Sequence, residues 1–190
     1  SLEKYSRAFG VEFIPGEEIK VFDNGKYIGE FLGWFLNEPI SPGPYQEVLD
    51  NLSQQDAIIS VAHPFDTLRE PLFVKPMFRD DKRAKIILKK IHAIEGFNSR
   101  CTFKSYNKKA QAFAAKNNLP IAGGSDGHFP EELGNGYTII DGNSKEDLRE
   151  AIKKKQTRVG GKLSSPLVHV LTTLAKNTDL LEDEEEKDEF

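Results

Sequence analysis

Metal-ligand and anion-binding side chains follow three short apolar runs of the sequence. They comprise imidazoles, carboxylates, one amide and one guanidinium: His63, Glu95, Asn98, Arg100, Asp126 and His128. Carboxylates and neutral imidazoles are ligands for Zn²⁺, Mn²⁺ and Fe²⁺. A guanidinium beside them is suited to clamp a phosphate group with two hydrogen bonds. The pattern predicts a cavity that holds a divalent cation and, at Arg100, an anion.

Each segment taken alone also has a plainer interpretation. Asp126-Gly127-His128 fits an ordinary Asp-Gly turn with a surface histidine, and His63 fits a core histidine bonded to a backbone carbonyl. Glu17 and Glu18 begin a strand, so alternation turns one of them inward unless both lie on an exposed edge. Buried carboxylates are rare unless they are paired or bind metal. The convergence of three strand ends favours the functional interpretation over the separate plain ones.

Buried strands and helices alternate from residue 57 onward. Nearly unbroken apolar runs at 57–62, 91–97 and 119–123 are typical of parallel strands, and helical patterns at 80–90 and 102–118 separate them. This order predicts an α/β fold with a parallel sheet or barrel. In a (β/α) barrel the active site lies at the carboxyl ends of the strands, where the candidate side chains stand.

The other predicted elements are shorter or less periodic. They are strands at 11–14, 17–22, 27–36, 137–140 and 157–159, a hairpin turn at 23–26, and helices at 45–55, 144–155 and 165–175. Ser144 and Asp147 have the spacing of a capping box at the start of their helix. No internal repeat is present, so residues 1–178 are expected to form one α/β domain.

Composition excludes several classes of protein. The 190 residues are 38% hydrophobic and 29% charged, with a net charge of −4, and no apolar run reaches the roughly 20 residues of a membrane span. The single cysteine, Cys101, excludes an internal disulfide and fits a reducing, cytoplasmic location. Residues 179–190 contain eight acidic residues and one lysine, which predicts a disordered tail. No phosphate-binding loop, dinucleotide fingerprint or serine-hydrolase elbow occurs.

Six short motifs in this order resemble the PHP family, the polymerase and histidinol phosphatase domain of metal-dependent phosphoesterases. The matching segments are residues 14–19, 31–35, 62–65, 94–98, 124–128 and 132–134. The resemblance implies a distorted (β/α)₇ TIM-like barrel that holds two or three divalent metal ions, Zn, Mn or Fe. It also implies a hydrolase that cleaves a phosphate ester with metal-activated water.

The resemblance also implies roles for individual residues. Its metal ligands match Glu18, His63, Glu95, Asp126 and His128. His63, Asp126 and Arg100 are the predicted catalytic residues, and Arg100 and Asn98 are the predicted substrate-binding residues. The expected substrate is a phosphorylated small molecule or nucleotide. Neither a membrane nor a nucleic acid is indicated as a partner.

The sequence departs from the family at its beginning. Members open with a His-x-His strand and then a Thr-Asp-His strand, and neither occurs here. Glu30 also stands where a histidine is common. We therefore expect a barrel incomplete at its N-terminus, as in a fragment of a longer protein, with weak activity or none in isolation. A natural short form, or one completed by another chain, is the other possibility. The alternative function is a non-catalytic PHP-like scaffold or binding module that has lost part of the metal site.

Overall fold

A computed structural model of the chain describes residues 2–69, 71–74 and 81–177. The helices are α1 (Leu2–Ala8), α2 (Tyr45–Gln54), α3 (Asp81–Lys90), α4 (Lys104–Lys116), α5 (Lys145–Lys153) and α6 (Leu167–Asn177). The strands are β1 (Gly16–Asp23), β2 (Lys26–Trp34), β3 (Gly43–Pro44), β4 (Ile58–Val61), β5 (Ala93–Asn98), β6 (Ile121–Gly124), β7 (Gly136–Ile139) and β8 (Arg158–Gly161). The tail predicted at 179–190 lies outside the described residues. None of the described helices combines the length and apolar character that a membrane span needs.

Six strands form the main sheet in the order β3-β1-β2-β4-β5-β6. Strands β4, β5 and β6 are parallel, whereas β2 runs antiparallel to both of its neighbours, β1 and β4. Strands β7 and β8 form a second, antiparallel sheet beside β6, where the Gly123 N–H donates to Thr138 Oγ1 at 2.9 Å. The fold is therefore mixed α/β with a sheet rich in parallel strands, and closure into a barrel stays a prediction.

The hairpin of β1 and β2 sets which side chains face the site. Asn24 and Gly25 both have positive φ, +49° and +74°, which matches the predicted tight turn between antiparallel strands. In the resulting register Ile19 lies opposite Phe31, and both are buried in the core. Because side chains alternate along a strand, Glu18 and Glu30 lie on the other face of the sheet.

The main core lies between the sheet and helices α2, α3 and α4. Its fully buried side chains include Phe31, Leu49, Leu52, Ile87 and Ile94. Burial of each such side chain stabilises the fold by about 1.5–3 kcal/mol. A Cβ at Gly33 would overlap Leu52, so glycine there lets α2 lie close to β2. The core thus holds β2, β4 and β5 rigidly beneath the candidate site.

Two predictions about the sheet are wrong. Residues 11–14 form no strand, because Pro15 lacks an N–H and its carbonyl instead accepts from the Phe35 N–H at 2.8 Å. The predicted parallel arrangement fails at β8, which runs antiparallel to β7. Lys155, with φ +59°, ends α5 in the left-handed conformation common at helix C-termini, and β8 then pairs with β7. The capping box of α5 is confirmed, since Ser144 Oγ accepts from the Asp147 N–H at 3.0 Å and Asp147 Oδ2 from the Ser144 N–H at 3.1 Å.

Candidate metal centre

Glu18, Glu30 and His63 bring one ligand atom each to within 4.8 Å of one another. Nε2 of His63 lies 3.0 Å from Oε2 of Glu30 and 3.4 Å from Oε1 of Glu18. No other trio of potential ligands in residues 2–69, 71–74 and 81–177 lies as close. One imidazole and two carboxylates form a donor set suited to Zn²⁺, Mn²⁺ or Fe²⁺.

Strand pairing and one strained backbone position bring His63 to the two glutamates. The Ala62 N–H donates to the Glu30 carbonyl at 3.2 Å, which continues the β2–β4 ladder up to the residue before His63. His63 then has φ +23°, a conformation that non-glycine residues adopt only when their surroundings enforce it. Its own N–H donates to Glu95 Oε2 at 2.5 Å, which anchors the turn to the end of β5. The imidazole is therefore positioned by main-chain contacts on both sides.

The two glutamates hold a proton on the imidazole when no metal competes for it. Burial alone would lower the pKa of His63, which is 3% exposed, but its contacts with Glu18 and Glu30 raise that pKa to about 10. Burial would likewise raise the pKa of Glu30, but His63 lowers it below its ordinary value. His63 Nδ1 has no hydrogen-bond partner among the described residues, so Nε2 carries the polar contacts of the ring. A divalent cation fits the position of that proton, between the imidazole and the two carboxylates.

A second group of polar side chains joins the ends of β5 and β6. Asn98 Nδ2 donates to Glu95 Oε2 at 3.1 Å and to Asp126 Oδ2 at 3.0 Å. The Arg69 guanidinium also donates to Asp126 Oδ2. Burial raises the pKa of Glu95 to about 7. Burial would also raise the pKa of Asp126, but Arg69 holds it below its ordinary value.

Arg100 lies in a buried network beside this group. Its Nε lies 3.3 Å from Oε1 of Glu132, and its Nη2 donates to Thr172 Oγ1 at 2.5 Å and to the Val168 carbonyl at 3.0 Å. Arg100 and Glu132 are both 2% exposed. The other carboxylate oxygen of Glu132 accepts from the His128 N–H at 3.0 Å. The network connects α6 to the loop that contains Asp126 and His128.

A cavity of about 260 Å³ adjoins Glu95. Its walls are mostly apolar and include Leu32, Trp34 and Leu148, with Gly124 and Thr138 at the side of β6 and β7. Small organic ligands bind in apolar cavities that contain a few polar groups. This cavity has room for the organic part of a small ligand next to the carboxylates.

The structure places the residues predicted from the sequence in different surroundings. Glu18 and His63 belong to the ligand trio, whereas Glu95, Asn98 and Asp126 form the adjoining group. His128 lies at the edge, with Nδ1 3.1 Å from the Asp126 carbonyl oxygen. Arg100 is paired with Glu132 instead of facing the carboxylates. The roles assigned to these residues stay predictions.

Sequence reasoning missed two residues of the site. It treated Glu30 only as a departure from a family pattern and did not single out Arg69. Strand alternation gave a signal for Glu30, since in the hairpin register it shares a sheet face with Glu18. Arg69 follows His63 in an irregular loop, where periodicity gives no direction for a side chain.

Comparison with known proteins finds a family match over part of the chain. Residues 104–157 match the PHP-associated family. An uncharacterised protein of Methanocaldococcus jannaschii is 40% identical over 125 residues, which are 65% of this chain and 49% of that protein. The chain therefore spans about half the length of this curated relative.

Two solved structures have a similar fold. One is a two-domain protein from Bacteroides vulgatus that contains a predicted PHP-like metal-dependent phosphoesterase. Its TM-score is 0.65 and its sequence identity is 22%, and the match covers 84% of this chain and 48% of that protein. The other is PsfC from Pseudomonas syringae, with a TM-score of 0.60 and 18% identity over 89% of this chain and 67% of that one. The chain is thus similar to the PHP-associated family over residues 104–157, and it shares its fold with a protein that contains a predicted PHP-like phosphoesterase.

Proposed function

We propose that the chain provides a divalent-metal site of a phosphoesterase that hydrolyses the phosphate ester of a small molecule or nucleotide. The observation that carries this proposal is the convergence of Glu18, Glu30 and His63 within 4.8 Å. The PHP-like fold supports it, since one structure of that fold contains a predicted metal-dependent phosphoesterase. This chain spans about half the length of its curated relative, so the activity of the whole protein is part of this proposal.

The trio has the donors for a divalent cation such as Mn²⁺ or Zn²⁺. When bound, such a cation polarises a phosphoryl oxygen and lowers the pKa of water. Glu18 and Glu30 contribute negative charge, and His63 contributes a neutral nitrogen once its proton has left. The main-chain bond from His63 to Glu95 keeps the imidazole in place during that exchange.

The neighbouring side chains are suited to bind and orient the ester. Arg69 supplies a positive charge that attracts a phosphate dianion, and Asn98 fixes Glu95 and Asp126 relative to each other. The cavity beside Glu95 receives the organic group of the ester. Its apolar walls exclude water from that side, which strengthens electrostatic contacts within the site.

A non-catalytic PHP-like module is the second candidate. The ion pair between Arg69 and Asp126 favours it, because the guanidinium occupies a carboxylate that the family resemblance assigns to metal. In that case the cluster serves stability or binding, and no ester is hydrolysed.

Elemental mass spectrometry of the metal bound to the 190-residue chain tests the proposal. The chain is purified without chelator, exposed to Mn²⁺ or Zn²⁺, and compared with the variants His63→Ala and Glu18→Gln. We expect near-stoichiometric metal in the wild type and at least a tenfold lower content in both variants. Glu47→Gln, an exposed glutamate on α2, is the matched control and should keep its metal.

A phosphatase screen then separates the two candidates. Release of inorganic phosphate from phosphomonoesters or phosphodiesters is measured for the metal-loaded chain and its His63→Ala variant. Hydrolysis that depends on His63 supports the phosphoesterase. Absence of bound metal in the wild type overturns the proposed metal site, and metal without hydrolysis favours the non-catalytic module for this chain.

A further inference from the structure

Arg69 lies among the carboxylates of the site as their positively charged neighbour. Its guanidinium donates to Asp126 Oδ2, and its charge also interacts with Glu18, Glu30 and Glu95. The side chain is only 23% exposed, so solvent screens these interactions weakly. Arg69 thus contacts Asp126 directly, and its charge acts on the other three carboxylates of the two groups.

One carboxylate oxygen of Asp126, Oδ2, is already engaged by two donors. Its Oδ2 accepts from both Arg69 and Asn98, the latter at 3.0 Å. Its Oδ1 lies 3.8 Å from His128 Nδ1, a nitrogen that is also 3.1 Å from the Asp126 carbonyl oxygen. A second cation bound through Oδ2 would have to displace the guanidinium.

A single divalent cation and Arg69 offset most of the negative charge of the site. Two positive charges at the trio match the carboxylates of Glu18 and Glu30, and Arg69 matches Asp126. The carboxylate of Glu95 adds one further negative charge, so a second divalent cation next to Arg69 would turn the small negative excess of this partly buried site into a positive one. Like charges at such distances repel strongly because solvent screening is weak.

We propose that Arg69 takes the place of a second divalent cation, so that the chain binds one metal ion and presents a guanidinium beside it for the phosphate of the substrate. The inference rests on the proposed function and limits it to a site with one metal ion and one arginine. It also transfers the phosphate-binding role from Arg100, which is buried against Glu132, to Arg69.

The number of Mn²⁺ ions bound per chain tests this inference. The chain is stripped with chelator, dialysed and titrated with Mn²⁺ by isothermal titration calorimetry, with elemental mass spectrometry as a second count. We expect one ion in the wild type and two in Arg69→Gln, in which Asp126 and Glu95 are free of the guanidinium. Arg69→Lys keeps the positive charge and should bind one ion.

Arg83→Gln is the matched control, because Arg83 also pairs with an aspartate, Asp23, at 3.2 Å, but away from the trio. It should bind one ion, as the wild type does. Two ions in the wild type, or one in a folded Arg69→Gln, would overturn the inference. Should circular dichroism show that Arg69→Gln is unfolded, the wild-type count decides, with one ion in support and two against.

Failure of the metal site itself gives a different result. A wild type that binds no Mn²⁺ contradicts the proposed function. In that case a folded Arg69→Gln that gains an ion still supports Arg69 as the substitute for a cation, and one that gains none overturns this inference as well.

Discussion

Oε2 of Glu30 lies 3.0 Å from Nε2 of His63, although 32 positions separate the two residues in the chain. The antiparallel pairing of β2 with β4 brings them together, because the Ala62 N–H donates to the Glu30 carbonyl. Glu30 therefore offers an oxygen at a position where the resembling family commonly has a histidine. In the proposed metal site, this difference replaces a neutral donor with an anionic one and keeps the number of donors the same.

Glu30→Gln should weaken Mn²⁺ binding at least tenfold. The amide keeps the shape of the side chain but removes one of the two negative charges that compensate the cation. Isothermal titration calorimetry of the stripped chain measures the effect. Glu30→His restores a metal-binding donor and should bind more tightly than Glu30→Gln. Equal affinity in the wild type and Glu30→Gln would show that Glu30 is not a ligand.

Metal binding should release about one proton at pH 8.5. The pKa of His63 in the metal-free chain is about 10, so its imidazole is protonated at this pH, whereas Glu95, with a pKa of about 7, is already ionised. A cation at Nε2 must displace the imidazole proton, and affinity should therefore rise with pH until about pH 10. Calorimetric titrations in two buffers of different ionisation enthalpy count the protons released.

The raised pKa of His63 also makes the stability of the metal-free chain depend on pH. The folded pKa of His63 lies above its ordinary value of 6.5, so its protonated form stabilises the fold fully below about pH 6.5. This contribution is lost as the pH rises through 10. His63→Gln should abolish both the proton release and this part of the pH dependence. A proton count near zero for the wild type at pH 8.5 would contradict the assignment of His63 as the protonated partner.

Periodicity was sufficient to predict the elements that surround the site. The alternation of apolar runs and helical spacing gave β4, α3, β5, α4 and β6 with small errors at their ends. The direction of β8 escaped prediction because the order of elements along the chain does not show which strand β8 pairs with, and β8 pairs with β7. The spacing of apolar residues indicates whether a segment is a helix or a strand. It does not indicate the direction in which a strand runs.

The residues of the candidate site that lie at the ends of strands could be predicted from the sequence. Those that lie in loops could not. His63 and Glu95 come at the ends of predicted strands, and a 2.5 Å hydrogen bond joins them. The partner of Arg100 was not predictable, because Glu132 reaches it from a separate 3₁₀ turn, Pro130–Glu132. Long-range pairing of charged side chains depends on packing, which one sequence does not display.

Asn98→Ala should lower the free energy of unfolding by about 2–4 kcal/mol, because it leaves several buried polar groups without their partners. The Asn98 amide donates to Glu95 and Asp126, and its Oδ1 accepts from the Arg100 N–H at 2.8 Å. Urea unfolding of the metal-free chain measures the loss. Asn51→Ala, at an exposed position on α2, should change stability by no more than about 0.5 kcal/mol. A similar small change in Asn98→Ala would mean that the two carboxylates do not depend on this amide.

Cys101 should be nearly inert towards alkylation in the folded chain. It is 4% exposed, and burial together with the negative charge of Asp66 raises the pKa of its thiol well above the ordinary value. Since the thiolate is the reactive form, a higher pKa leaves less of it at pH 8. Reaction with iodoacetamide, followed by intact-mass spectrometry, should be much slower than in the same chain unfolded in guanidinium chloride, because both burial and the raised pKa of the thiol reduce the reactive thiolate. The unfolded chain is the internal control because it contains the same single thiol. Comparable rates in the two states would show that the loop after β5 opens readily and that the Asn98–Arg100 segment is not held in the buried network.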